Sequence, residues 1–174
     1  MADPEFEREA LQYIDALYNL AMYLTRKPVE AEDLVQETYL RAFRFSNRFE
    51  PGTHQKAWLF QILRNLFLTF YRYREREPVV TDPDHPEGGE VPAFQNAPAW
   101  DANSTEVQVD LERALMQLSE EFRTIVLLAE VEGLALEDVA QVMNCPVGTV
   151  KSRLFRAKAR LRRCLPDYQG DFKR

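Results

Sequence analysis

The sequence is poor in the residues that build disulfide frameworks and metal sites. Its 174 residues include two cysteines, Cys145 and Cys164, and two histidines, His54 and His85, and these four are not clustered. Disulfide scaffolds need several paired cysteines, and structural zinc sites need ligands at short, regular spacings. We therefore expect no bound metal, no cofactor and a reducing compartment, which makes the cytoplasm the predicted location.

Long apolar runs and catalytic motifs are also lacking. No apolar stretch approaches the roughly 20 residues that a membrane helix needs, and the acidic N-terminus has no signal-peptide pattern. No glycine-rich phosphate loop and no nucleophile motif occurs in the sequence. These absences predict a protein that is not an enzyme and has no membrane segment of its own.

Charge is distributed unevenly along the chain. The formal net charge of −6 argues at first against binding to nucleic acid. However, residues 145–165 contain seven lysines and arginines and no acidic residue, whereas residues 78–104 contain five acidic residues and no lysine or arginine. The overall acidity therefore conceals one cationic helix, and its local charge is what matters for binding.

Prolines divide the chain into two parts. Five of the ten prolines, together with Gly88 and Gly89, lie between residues 78 and 100, a density that a packed element does not tolerate. We expect an acidic, flexible, proline-rich linker at 78–104, between a domain at 1–77 and a domain at 105–174.

Both predicted domains have helical periodicity, and no alternating strand pattern occurs. The predicted fold class is therefore all-α, with two small helical domains joined by the linker. Predicted helices, with a short helical turn near residue 53, cover about 5–25, 29–46, 55–75, 105–118, 119–131, 135–143 and 147–164.

The last two predicted helices form a helix-turn-helix pattern, in which the second helix enters a major groove of DNA. On that second helix, Phe155 lies opposite the apolar stripe and among cations. An apolar ring in this position can contact a thymine methyl group or a sugar. The alternative is that Phe155 packs on a neighbouring helix or on a partner protein.

Cations surround Phe155 and continue to the end of this helix. Lys151 and Arg156 can donate to guanine edges or phosphates, and Ser152 can contact either. The alternative for the whole face is a solvated charged surface. The later cations suit contacts to backbone phosphates, which give affinity without sequence information; they are Lys158, Arg160, Arg162 and Arg163.

Three stretches resemble the extracytoplasmic-function (ECF) group of bacterial RNA polymerase sigma factors, within the sigma-70 family. EEFRTIVLLAEVEGLALEDVAQVMNCPVGTVKSRLFRAKARLR (120–162) is similar to the family's domain four. AEDLVQETYLRAFR (31–44) resembles the polymerase-binding helix of region two, and FEPGTHQKAWLFQILRNLFLTFYR (49–72) resembles its promoter-melting segment. The resemblance implies a factor that binds core RNA polymerase and directs initiation by reading −10 and −35 promoter elements.

The resemblance also assigns residues to the polymerase interface. Asp33, Gln36, Glu37 and Arg41 match positions that dock on the coiled coil of the largest polymerase subunit. These positions share one helix face with position 40, as a docking surface requires. Without the resemblance, an ordinary exposed amphipathic helix is the alternative.

For the −10 element, Trp58, Arg64 and Asn65 match reading positions, and Lys56 suits the strand backbone. A flipped-out base needs amide groups beside an aromatic wall, and Asn65 offers the amide. Core packing is the alternative for Trp58, because this residue belongs to an apolar helix stripe.

For the −35 element, the matching residues are Lys151, Ser152, Phe155 and Arg156. Lys151 departs from the family pattern, in which arginine is common. Because lysine lacks the bidentate fork of arginine, this departure leaves the preferred −35 bases open.

The segment GTHQKAWLFQIL (52–63) is most similar to the redox- and stress-responsive branch of the family, whose members are bound by zinc-binding anti-sigma proteins. The resemblance thus implies that an anti-sigma factor is a partner. If the chain belongs to that branch, this partner binds zinc. The acidic linker is similar to segments that enter the polymerase cleft, where its carboxylates would mimic a nucleic-acid strand.

Two other classes of protein remain as alternatives. A stand-alone helix-turn-helix regulator would need an N-terminal sensor or dimerisation domain, whereas residues 29–75 resemble polymerase docking and strand reading. A purely structural adaptor would leave the cationic helix and the outward-facing Phe155 without an explanation.

Overall fold

The computed structural model describes residues 3–50, 52–70 and 105–165. Within these ranges the chain is helical and has no strand, which confirms the predicted all-α class. The linker predicted at 78–104 lies outside the described residues, as does the helix predicted at 55–75 beyond residue 70. None of the described helices combines the length and apolarity of a bilayer-crossing segment.

The N-terminal unit contains four helices and a short 3-10 turn, Ser46–Arg48. The helices are α1 (Pro4–Leu11), α2 (Ile14–Thr25), α3 (Pro28–Arg44) and α4 (Gln55–Phe70). The C-terminal unit contains α5 (Glu106–Met116), α6 (Glu120–Val126), which continues as a π-helical segment (Leu127–Val131), α7 (Leu136–Met143) and α8 (Val147–Cys164).

One predicted helix is wrong: residues 5–25 form two helices, with a break at Gln12 and Tyr13. The amide of Tyr13 donates to the carbonyl of Ala10 at 3.2 Å, three residues back, so the last turn of α1 is tightened. The hydroxyl of Tyr39 on α3 also donates to this carbonyl, at 2.8 Å. The apolar spacing continues through the break, so periodicity alone could not reveal it.

Local signals set several of the remaining boundaries. Thr105 and Gln108 form a capping box at the start of α5: the amide of Thr105 donates to Gln108 Oε1 at 2.9 Å, and the amide of Gln108 donates to Thr105 Oγ1 at 3.4 Å. Gly133 follows the π-helical segment with a φ of +67°, which suits a glycine, and Asn144 ends α7 with a φ of 53°.

Each unit has its own buried side chains. In the N-terminal unit the fully buried large side chains come from α2, α3 and α4; they include Leu17, Leu34, Leu59, Phe60, Leu63 and Leu66. In the C-terminal unit the stripe predicted for the last helix is buried, as expected; it consists of Val150, Leu154, Ala157 and Leu161.

A buried guanidinium holds the C-terminal unit together and contacts the other unit. Arg123 is 4% exposed, and it donates to the carbonyls of Leu115 (3.0 Å) and Met116 (3.3 Å) at the end of α5 and of Leu118 (2.9 Å) just beyond it. Its fourth bond reaches the carbonyl of Tyr23 on α2, at 3.1 Å. Burial lowers the pKa of Arg123 to about 10, so the side chain is still a cation at neutral pH.

Replacing this guanidinium tests its structural role. Arg123→Met should lower the free energy of unfolding by about 2–4 kcal/mol, because several buried carbonyls lose their donors at once. Urea denaturation followed by circular dichroism measures the change. Arg113→Ala is the control, because Arg113 is exposed and has only a weak ion pair to Asp110 at 3.8 Å. Equal stability of the two variants would contradict this role.

Candidate polymerase and nucleic-acid interfaces

The residues predicted to dock on polymerase share the solvent face of α3. Asp33, Gln36 and Arg41 are exposed and Glu37 is half-buried. Arg41 Nε donates to Glu37 Oε1 at 2.8 Å, and the Arg41 guanidinium lies 5.5 Å from the ring centroid of Phe70 on α4. The α3 side chains on the opposite face are buried in the core, so this helix presents a fixed polar surface.

An apolar groove adjoins this face, and sequence reasoning did not find it. The groove has a volume of about 570 Å³ and lies between residues of α1, α2 and α3. Leu40 on α3 lines it and is 61% exposed. The one sequence signal for this groove was Leu40, an apolar residue on the outward face of α3. The opposite wall of the groove is formed by residues of α1 and α2, which the α3 sequence alone does not reveal. Its lining includes Leu11, Ile14, Tyr18, Val35, Leu40 and Phe43.

The residues predicted to read the −10 element lie on α4 but are not exposed alike. Asn65 is exposed, Lys56 and Trp58 are half-buried, and Arg64 is buried. The Trp58 ring lies 5.4 Å from the Phe49 ring, centroid to centroid, and belongs to an aromatic cluster. This packing agrees with the core alternative for Trp58 and leaves the ring partly accessible.

Lys56 and Arg64 face the C-terminal unit rather than solvent. Lys56 Nζ lies 2.8 Å from Glu132 Oε2 and also donates to the carbonyl of Glu132 at 3.0 Å. Arg64 Nη2 lies 3.9 Å from Glu120 Oε1. In this arrangement of the two units neither cation is available to a nucleic-acid strand. Sequence reasoning missed the acidic partners, because residues far apart in the chain supply them.

The residues predicted to read the −35 element form one exposed surface on α8. Lys151, Ser152, Phe155 and Arg156 are all exposed, and Phe155 is 72% exposed. Ser152 Oγ donates to the carbonyl of Thr149 at 3.0 Å. The apolar ring therefore does not pack into the core of its own unit.

Some of the cations on α8 have acidic partners within the C-terminal unit. Lys158 Nζ lies 2.6 Å from Glu130 Oε1, and Arg153 Nη1, not singled out from the sequence, lies 3.1 Å from Glu121 Oε2. Of the other residues predicted to contact phosphates, Arg162 and Arg163 are exposed and Arg160 is half-buried.

Family models match both helical units. The description "Sigma-70 region 2" matches residues 10–77, and "Sigma-70, region 4" matches residues 108–161. The ECF RNA polymerase sigma factor EcfG of Rhodopseudomonas palustris is 38% identical over 153 residues, which cover 88% of this chain and 81% of that protein. The chain belongs to the ECF group of the sigma-70 family. Sigma factors are transcription initiation factors.

A further relative and two solved structures are similar to this ECF sigma factor. SigE of Mycolicibacterium smegmatis is 35% identical over 170 residues, and the chain spans 65% of its length. The sigma factor RpoE of Bartonella quintana, solved in complex with the anti-sigma factor NepR, has a TM-score of 0.72 and 35% identity, with 99% of this chain and 100% of that chain covered. CnrH, solved with the cytosolic domain of CnrY, shares the fold with a TM-score of 0.64 at 22% identity.

The structure was searched for a possible metal site. Within the described residues no group of three or more histidine, cysteine, aspartate or glutamate side chains is arranged to hold a metal ion.

Neighbouring residues on α8 allow a direct test of which side chains face outward. Phe155→Ala should change the free energy of unfolding by no more than about 0.5 kcal/mol, because the ring is exposed. Leu154→Ala, the matched variant at a side chain that is 9% exposed, should lose about 2–5 kcal/mol. Thermal and urea unfolding measure both. A large loss for Phe155→Ala would mean that the ring packs inside the protein.

Proposed function

We propose that this sigma factor binds core RNA polymerase and directs it to promoters that carry a −10 and a −35 element. The supporting observation is the pair of matches to region 2 and region 4, in this order, on two helical units with different exposed chemistry. The proposed division is 1–77 for polymerase and −10 binding, 78–104 as the linker and 105–174 for −35 binding. The factor itself performs no catalysis and acts in the cytoplasm.

The polymerase surface in this proposal is the exposed face of α3. A partner coiled coil offers both charged and apolar side chains. This face of α3 has charged groups to pair with the former and an apolar surface to pack against the latter. Asp33, Glu37 and Arg41 supply charges, and Leu40 borders the apolar groove. Aligned charges speed the encounter and select the partner, while burial of apolar surface supplies most of the affinity.

The −35 surface is the N-terminal half of α8, the second helix of the helix-turn-helix. Lys151 and Arg156 are placed to donate to base edges or phosphates, and Phe155 to pack on a thymine methyl group or a sugar. The later cations suit phosphates, which set the position of the helix on DNA. Lys158 would exchange Glu130 for a phosphate on binding, a step that costs little because this pair is half-exposed.

The −10 surface is the outer face of α4. The exposed amide of Asn65 can pair with the edge of a flipped base, and the partly accessible Trp58 can offer a ring. Lys56 and Arg64 join this surface only after the C-terminal unit moves away from α4. In this proposal, promoter reading requires an open arrangement in which the C-terminal unit no longer covers α4.

We infer that an anti-sigma factor holds this sigma factor inactive. Support comes from RpoE of Bartonella quintana, which is 35% identical and was solved in complex with the anti-sigma factor NepR. The sequence of residues 52–63 predicts that this anti-sigma factor binds zinc, and this stays a prediction.

Transcription in vitro tests the proposed function. With core polymerase and a promoter library, the factor should create new start sites, and Arg41→Glu should weaken its binding to core polymerase by about tenfold, since a charge pair is lost and a repulsive charge is added. Arg113→Glu makes the same charge change on α5 and serves as the control. Start sites that are the same with and without the factor would contradict the proposal.

Substitutions on α8 separate base reading from phosphate binding. Lys151→Ala and Arg156→Ala should each weaken binding to a −35 duplex by about tenfold and relax the sequence preference. Arg162→Ala should weaken binding to all duplexes alike. Fluorescence anisotropy with matched and scrambled duplexes measures both effects. Unchanged affinity for both base-reading variants would contradict the assignment of this surface.

A further inference from the structure

The first turn of α6 contacts two arginines of α8. Oε2 of Glu121 lies 3.1 Å from Nη1 of Arg153. The guanidinium of Arg156 lies 5.9 Å from the ring centroid of the next residue on α6, Phe122. Because residues three positions apart share one side of a helix, two consecutive residues of α6 reach both arginines. The two contacts form one seam between α6 and α8.

The ring of Phe122 is fixed by the structure around it. Phe122 is half-buried and packs against the core of the C-terminal unit. Its amide donates to Oγ of Ser119, the residue that caps α6, at 3.4 Å. The following residue, Arg123, is buried and donates to the carbonyl of Leu118 at 2.9 Å. The ring therefore offers a rigid surface to the guanidinium beside it.

Arg156 itself lies on the exposed side of α8. The side chain of an exposed arginine samples many rotamers, and binding to a base has to restrict them. Arginine stacks readily on aromatic faces, because its guanidinium is planar and more weakly hydrated than an ammonium group. A ring contact that limits the rotamers of Arg156 before DNA arrives lowers the entropy cost of the base contact.

The neighbouring contact of the seam has a different character. Glu121 pairs with Arg153, whose side chain is only 19% exposed, so this ion pair joins two helices away from the predicted reading surface. Phe122, in contrast, carries no charge. A carboxylate beside Arg156 would compete with DNA for the cation, whereas a neutral ring orients the cation and leaves its charge uncompensated by that contact.

We propose that Phe122 is a positioning residue for −35 reading. Its ring restricts the guanidinium of Arg156 in the free protein, which favours the two parallel hydrogen bonds that arginine makes to one guanine edge. Phe122 does not touch DNA and acts through Arg156. The inference rests on the proposed function in one respect, namely that Arg156 donates to a base.

The test uses the full chain and compares Phe122→Leu, which removes the ring but keeps an apolar side chain, with Phe122→Tyr, which keeps the ring. Fluorescence anisotropy measures binding to the −35 duplex that the promoter library identifies and to duplexes in which each guanine is replaced in turn. Phe122→Leu should weaken binding to the matched duplex about threefold and reduce discrimination at one guanine by a similar factor. Phe122→Tyr should retain both.

Two controls distinguish positioning from an effect on the fold. Phe45→Leu makes the same change at a half-buried ring 4.8 Å from the guanidinium of Arg48, in the N-terminal unit, and should leave −35 binding unchanged. In an Arg156→Ala background, Phe122→Leu should cause no further loss, because the group that the ring positions is gone. The same loss in both backgrounds would overturn the proposal. Urea denaturation checks that each variant is folded, and Phe122→Met replaces Phe122→Leu if the leucine variant is not.

Nuclear magnetic resonance tests the contact in the absence of DNA. The Nε–H signal of Arg156 is assigned by its loss in Arg156→Ala, and the nearby ring should shift this signal. Phe122→Leu should move the signal to the position of a solvent-exposed arginine, and Phe122→Tyr should preserve the shift. A signal that is the same in wild type and Phe122→Leu would contradict the positioning role.

The binding experiment also separates this proposal from the proposed function. If Arg156→Ala weakens −35 binding but Phe122→Leu behaves as wild type, only the positioning role is overturned. If Arg156→Ala changes neither affinity nor base preference, the −35 assignment of Arg156 fails, and the positioning role fails with it.

Discussion

In the proposed function a cation on α4 or α8 must be held in place without being permanently neutralised, because a nucleic-acid strand has to reach it. Each helix buries one face in its unit and presents cations on the other. In the closed arrangement carboxylates from the C-terminal unit lie against Lys56 and Arg64 on α4, and against Lys158 on α8. The Arg64 pair is long and the Lys158 pair is half-exposed, so phosphates can compete with these two pairs. The Lys56 pair is short and largely shielded from water.

The scaffold that positions these cations depends on satisfied backbone groups. Arg123 donates to three carbonyls at the C-terminal end of α5 or just beyond it and to one on α2, so a single buried side chain supports the C-terminal unit and also contacts the N-terminal one. Tyr39 has a related role, since its hydroxyl binds the last turn of α1 and its pKa is raised to about 12 by burial. Because Tyr39 belongs to α3, this bond ties α3 to the end of α1.

Helix positions were largely predictable because their signals are local. These signals mark helix ends or buried faces within one or two turns of chain. They are the cap formed by Thr105 and Gln108, Pro28 at the start of α3, Gly133 and the apolar stripe of α8. The break in the first helix was not predictable, because it accompanies the bond from Tyr39, a residue 29 positions away. The candidate site shows the same division: the outward faces of α3 and α8 follow from helical period, whereas the apolar groove needs side chains from three helices.

The sequence by itself determined the helical class, the two cationic or mixed-charge faces and the resemblance to region two and region four. These properties depend on residue spacing along single helices, which has a fixed period. Only the tertiary structure decided which of those faces are open. Asn65 and Phe155 are exposed while Lys56 and Arg64 lie against Glu132 and Glu120, because the acids that cover them come from the other unit. No local pattern encodes a contact between residues so far apart in the chain.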